Sequence, residues 1–196
     1  MPQLIRVLAS QASGLVNYQT VAGKLGLSPL TVKSYVQLLR TAFLVELVPS
    51  WRPGLGSREV QTPKVRFVDS GLLSSLLGAD ESRIRHDQQV TGPVFENYVA
   101  GELRAQAEWA NTSVRLYHYR QDRDEVDIVM EDRSGRVVAV EVKAAASLTG
   151  PDSRGLAKLR DRLGERFIAG IVIYTGSSTI PLGDRLWAEP VSCLWA

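Results

Sequence analysis

Glu125-Val126-Asp127-Ile128-Val129-Met130-Glu131 and Val137-Val138-Ala139-Val140-Glu141-Val142-Lys143 flank the polar run Asp132-Arg133-Ser134-Gly135-Arg136. Both flanking segments alternate with period two, the period of a strand. The run between them is rich in turn residues, so the stretch predicts a β-hairpin. With Ser134 at its centre, Asp127 falls opposite Glu141, and Glu125 opposite Lys143. Val126, Ile128 and Met130 are expected on one face, with Val138, Val140 and Val142. Val129, Val137 and Ala139 make the other face apolar as well, away from the charges. A strand that is apolar on both faces belongs at the centre of a sheet.

Charges set into such strands need partners. Residues directly opposed in an antiparallel pair have Cβ atoms about 4.5–5.5 Å apart, so two carboxylates there repel. A divalent cation between them removes the repulsion, and Mg²⁺ is held by one or two carboxylates with water and substrate phosphate. Asp127, Glu141 and the backbone carbonyl of Val142 are therefore the candidate ligands for Mg²⁺ (or Mn²⁺). Lys143 lies two residues from Glu141 and shares its face, placed to hold a phosphate or assist an attacking water. The simpler alternative is a solvated face, on which Glu125 and Lys143 form a surface ion pair worth about 0–1 kcal/mol.

Glu96 is a further candidate. Residues 92–103 predict a helix capped by Thr91 or Gly92, with Pro93 at its first position. Val99, Ala100 and Leu103 follow Glu96 at helical spacing, so the carboxylate points with the apolar stripe. Such a group needs a donor or a metal, although a helix-start carboxylate favoured by the macrodipole accounts for it equally well.

Gly92-Pro93-Val94-Phe95-Glu96-Asn97, Tyr117-His118-Tyr119-Arg120, Glu125-Val126-Asp127 and Val140-Glu141-Val142-Lys143 together resemble the PD-(D/E)XK nuclease superfamily. More narrowly, nearly the whole chain resembles the uncharacterised C-terminal region of prokaryotic AAA-type ATPases, a winged helix followed by a nuclease-like domain. The resemblance implies that Glu96, Asp127 and Glu141 bind or support a metal and that Lys143 is the catalytic lysine. It also implies an ATPase domain elsewhere in a longer protein. Gly23-Lys24 lacks the glycine spacing and the following Ser or Thr of a P-loop, so no ATP hydrolysis is expected from this chain.

The 196 residues suffice for one large or two small domains. A single cysteine, Cys193, leaves no internal disulfide and no cysteine-rich zinc site. Two histidines, His86 and His118, are too few for a histidine metal cluster. The sequence has no run of 18 apolar residues and no signal pattern, so a cytoplasmic protein without a membrane span is expected. Residues 1–75 carry a net +5 and the remainder −3, and a basic first part suits a polyanion.

Helices are predicted over residues 2–12, 18–25 and 29–42, the third capped by Ser28 with Pro29 behind it. Strands follow at 44–48 and 64–68 around a Pro/Gly-rich loop, which gives a winged helix-turn-helix over residues 1–77. Residues 78–90 read as a polar linker. Residues 91–196 read as a second domain: helix, strand at 114–120, hairpin, helix at 152–163, strand at 167–174, and a last short strand at 191–195. The crossover helix makes 167–174 parallel to 137–143. The fold class is α/β (α+β overall), with a mixed sheet flanked by helices after the winged helix.

DNA is the expected partner. Thr31, Lys33, Ser34, Gln37 and Arg40 face outward on the third helix, Arg52 and Arg58 lie on the wing, and Arg120 is placed to clamp a phosphate or to form an exposed ion pair. Trp51 reads as a packing residue. The leading expectation is a metal-dependent DNA endonuclease-like domain. Two alternatives stand beside it: a non-catalytic DNA- or protein-docking module on a retained nuclease fold, and a winged-helix regulator. Association into a homo-oligomer is left open.

Overall fold

The computed structural model describes residues 2–52, 62–121 and 124–195. Three helices lead: α1 (Pro2–Ala9), α2 (Tyr18–Leu25) and α3 (Pro29–Thr41). The Asn17 side chain accepts the Thr20 N–H at 2.9 Å, and Ser28 Oγ accepts that of Thr31 at 3.1 Å. Each satisfies a donor that a helix start leaves unpaired. Gly26 closes α2 at a φ of 64°, a conformation that favours glycine. β1 (Val45–Val48) and β2 (Lys64–Phe67) then pair antiparallel, Val45 opposite Phe67. Val32, Val36 and Leu39 of α3 meet Leu4, Leu8, Val21, Val65 and Phe67 in a first core.

The expected linker instead carries helix. After α4 (Ser70–Leu76), α5 spans Glu81–His86 and α6 spans Gln88–Trp109. Asp80 caps α5 by accepting the Arg83 N–H at 2.8 Å. Asp87, rather than Thr91 or Gly92, caps α6 by accepting the Gln89 N–H at 3.1 Å. Pro93 therefore lies inside α6 and not at its first position. Thr91 Oγ1 donates to the Asp87 carbonyl at 2.9 Å. One end of α6 serves the first core through Val90 and Val94. The rest covers the sheet through Phe95, Val99 and Leu103.

The six-stranded mixed sheet runs β3 (Val114–Gln121), β4 (Asp124–Asp132), β5 (Val137–Lys143), β6 (Phe167–Tyr174), β8 (Leu186–Pro190), β7 (Ile180–Gly183). β3, β4 and β5 are antiparallel neighbours. β6 is parallel to β5, as the crossover predicted, and α7 (Arg154–Leu163) makes the connection. The expected last strand at 191–195 is a 3₁₀ helix, and the sheet is completed by β7 and β8 instead. Pro181 and Gly183 weaken the strand pattern of β7, as an edge strand tolerates, and Pro190 ends β8.

The hairpin keeps the expected register from Glu131 opposite Val137 to Ile128 opposite Val140, where the ladder ends, so Asp127 and Glu141 are not a ladder pair. Its faces also differ from those expected. Between Tyr117 and Tyr119 of β3, β4 advances three residues, from Val129 to Val126. That extra residue is a bulge. It puts Val126 with Val129 under Leu156 and Leu159 of α7, while Ile128 and Met130 pack under α6. Val126 and Ile128 therefore do not share a face. Opposite the bulge, His118 gives its N–H to the Pro49 carbonyl at 3.0 Å and accepts the Trp51 N–H at 2.6 Å. Trp51 is fully buried in the second core, edge-on to Tyr119 with ring centroids 6.2 Å apart.

α7 sits very close to β4. A Cβ on Gly155 would lie 2.2 Å from the Glu125 carbonyl oxygen, so only glycine allows this approach. Among the described residues, no helix is long and apolar enough to cross a membrane.

Candidate functional site

The bulge lies at Asp127 and Ile128, and bulges re-aim side chains. Asp127 Oδ2 accepts the Val142 N–H at 3.0 Å, which fixes the carboxylate at the end of the β4–β5 ladder. Its Oδ1 accepts from Lys64 Nζ at 3.3 Å. Lys64 opens β2, all four residues of which are buried. Its ammonium also donates to Glu96 Oε1 at 3.0 Å and pairs with Glu125 at 3.1 Å. The Lys64 side chain is only 5% exposed.

The other pair lies at the end of β5. Lys143 Nζ donates to Glu141 Oε1 at 2.8 Å, with Lys143 31% exposed and Glu141 14%. Glu125 therefore does not face Lys143 as expected. The ladder holds it opposite Arg120, whose guanidinium is 3.9 Å from its carboxylate, and Lys64 takes its charge. The bulge is the reason, because it shifts the register of β4 beyond Ile128.

Glu96, Asp127 and Glu141 are mostly buried and face two ammoniums, Lys64 and Lys143. With every acid ionised, negative charge would exceed positive by one, since Glu125 is shared at the rim with exposed Arg120. Burial first, and repulsion second, oppose that fully ionised state. Burial, then the charge of Asp127, pushes Glu96 up to about 8 against the pull of Lys64. The same two causes push Glu141 up to about 7. Burial alone would lower Lys64, but Glu96, Asp127 and Glu125 more than reverse this and hold it above the ordinary lysine range. A cavity of about 30 Å³ lined by Lys64, Glu96, Asp127 and Ser13 adjoins the cluster, room enough for an ordered water.

Among the described residues, no three His, Cys, Asp or Glu side chains are grouped to hold a metal by themselves. A cation would rest on Asp127, Glu141, the Val142 carbonyl and water, an all-oxygen set that suits Mg²⁺ or Mn²⁺. Glu141 Oε2 supports that fit. It is buried and has no hydrogen-bond partner among the described residues, and a buried carboxylate oxygen is costly to leave bare.

The structure thus brings Glu96, Asp127, Glu141 and Lys143 together, with Arg120 at the rim through Glu125. Lys33 and Arg40 are exposed on α3, outside this cluster, where Arg40 donates to Gln37 at 2.9 Å. Arg52 is half-buried beside Trp51. Arg58 lies outside the described residues. Sequence reasoning missed Lys64. No local signal marks it: Lys64-Val65-Arg66-Phe67 alternates like a half-exposed strand, yet the structure buries all four residues, and a buried charge needs partners. Asn97 was likewise read only as part of a motif. Fully buried, it accepts the Phe67 N–H at 2.8 Å and donates to the Phe67 carbonyl at 3.0 Å, tying α6 to β2.

No solved structure matches this chain. Uncharacterized proteins of Mycobacterium tuberculosis and Mycobacterium bovis are each 28% identical to it over 186 residues, 94% of the chain. The chain spans about 40% of the length of these relatives. A family model described as a domain of unknown function, DUF8612, matches residues 1–83. A second, described as a domain of unknown function, DUF4143, matches residues 91–194, more than half of the chain. By that match the chain, acid cluster included, belongs to the DUF4143 family.

Proposed function

We propose that the second unit is a PD-(D/E)XK-type centre that hydrolyses phosphodiesters in DNA with Mg²⁺ or Mn²⁺, attached to a winged-helix first unit and working beside an AAA-type ATPase domain of a longer cytoplasmic protein. The observation that carries this reading is the bare, buried Glu141 Oε2 in a cluster with Asp127. An excess negative charge held away from water calls for a cation. When bound, a divalent ion would polarise the phosphate and lower the pKa of a water. Asp127 is oriented for this by the Val142 N–H. Lys143 is partly exposed and tied to a single carboxylate, so its ammonium is free to turn toward a phosphate and neutralise developing charge. Glu96 fixes Lys64 rather than Lys143. Arg120, at the rim, is suited to a flanking phosphate.

Plasmid and linear DNA incubated with Mg²⁺ or Mn²⁺ test this reading. Cutting is expected from the wild type and not from Asp127→Ala or Lys143→Ala. Intact DNA at every metal concentration, with both variants folded, rules the reading out.

A second reading concerns the first unit. The outward side of α3 and the turn after it expose Leu30 (74%), Leu38 (56%) and Phe43 (80%) beside Lys33 and Arg40. Exposed apolar groups of this size favour contact with protein over groove reading. Charge-reversal at Lys33 and Arg40 should then leave DNA affinity and its salt dependence unchanged.

A further inference from the structure

We infer that Lys64 holds the place of a second metal ion, so that the centre takes a single divalent cation, at Asp127 and Glu141, with Lys64 as a positioning residue for Asp127. The inference rests on the metal-dependent reading above and goes beyond it by fixing the number of ions and the source of the remaining charge. Carboxylate-rich phosphoryl-transfer sites commonly hold two cations about 3.5–4 Å apart. Here the Lys64 ammonium lies within 3.3 Å of three carboxylates, Glu96, Glu125 and Asp127, the arrangement that a cation would otherwise require.

Lys64 does not come from the second unit at all. It is delivered by β2, 32 residues before Glu96 and 63 before Asp127. Its backbone is fixed from three sides. Val48 pairs with it in β1, and Leu15 bridges to it. Three residues on, the Asn97 amide of α6 clamps Phe67 in the same strand. A side chain 5% exposed on so fixed a strand cannot swing out to make room for an ion.

Charge agrees with geometry. With Glu96, Asp127 and Glu141 all ionised, as they would be around a bound cation, and Glu125 balanced by Arg120, the acids exceed Lys64 and Lys143 by one negative charge. One divalent ion converts this to one positive charge, the complement of a single phosphodiester. Two ions would leave three positive charges packed against one another, a costly arrangement in a poorly solvated site.

Mn²⁺ binding decides the matter, measured on the whole chain by calorimetry and by electron paramagnetic resonance. The wild type should bind one ion per chain, Lys64→Arg one, and Lys64→Met two, with the spin–spin broadening of neighbouring ions only in Lys64→Met. Two ions in the wild type, or one in Lys64→Met, overturns the inference and leaves the metal-dependent reading standing. No ion in the wild type removes that reading, and this one with it. If Lys64→Met does not fold without metal, thermal unfolding takes over. Mn²⁺ should then restore a folded Lys64→Met with a cooperative unfolding transition. A Lys64→Met chain that stays unfolded in Mn²⁺ overturns the inference.

Discussion

Two lysines serve one acid cluster, and they differ in nearly everything but their charge. Lys64 comes from the first unit, is buried, and meets three carboxylates. Lys143 comes from the end of β5, is about a third exposed, and meets one. Burial separates their roles. Removing one partner of a buried ion pair leaves a charge stranded in a medium that cannot solvate it. Removing one partner at a wet rim costs little, since water replaces it. A lysine in the first situation can only be structural or positioning. One in the second is free to move and meet a substrate.

The strongest way to break this contrast is Lys64→Met. It should cost about 3–5 kcal/mol in urea unfolding, because Glu96 and Asp127 lose their counter-ion. A cost below about 1 kcal/mol would put Lys64 in the same class as Lys143. Next in size is Gly155→Ala. The added Cβ has backbone, not a flexible side chain, in its way, and overpacking of this kind costs about 1–3 kcal/mol. The displaced Glu125 segment carries Asp127 with it, so metal affinity should fall along with stability.

A pH series sharpens the comparison further. Glu96 and Glu141 titrate at about 8 and 7, above the ordinary carboxylate range. Folding therefore takes up protons at neutral pH, and stability rises where the unfolded state binds fewer protons than the folded one as pH falls. The contribution is complete below the unfolded value of about 4.5 and is lost as pH rises through 7 to 8. The metal-free Tm should decline across that window, and Glu96→Gln should flatten its upper part. A Tm that climbs from pH 5 to 8 contradicts the sign. The smallest effect is expected from Lys143→Met, about 1 kcal/mol in stability, because Glu141 loses its one donor but takes up a proton in its place, paired with loss of metal-dependent cleavage.

The sequence carried the hairpin well, because alternation and a polar turn are local signals. Ile128 and Val140 face each other as the turn centre at Ser134 requires. Ser28 as a cap and β6 parallel to β5 were legible for similar reasons. The bulge at Asp127 was not. Period-two counting cannot register one extra residue, and the Pro49–Trp51 segment bonded to His118 opposite it comes from far along the chain. The opening of α6 was misplaced because Asp87, Thr91 and Gly92 are all acceptable caps, and only the carboxylate of Asp87 reaches an amide there. Lys64 escaped notice because its partners are far away along the chain, and nothing local in Lys64-Val65-Arg66-Phe67 distinguishes it from Arg66, which pairs with Glu46 at 3.0 Å.

Trp51 carries a practical lesson for anyone dissecting this molecule. An expression clone trimmed to residues 91–196 would look like a tidy excision of the sheet and its acid cluster. It would in fact arrive without the indole that plugs the core beside Tyr119, without the strand that supplies the inner ammonium, and with α6 missing its capping aspartate. Assays on such a fragment would report the damage done by the cut, and a silent fragment would say nothing against the intact polypeptide.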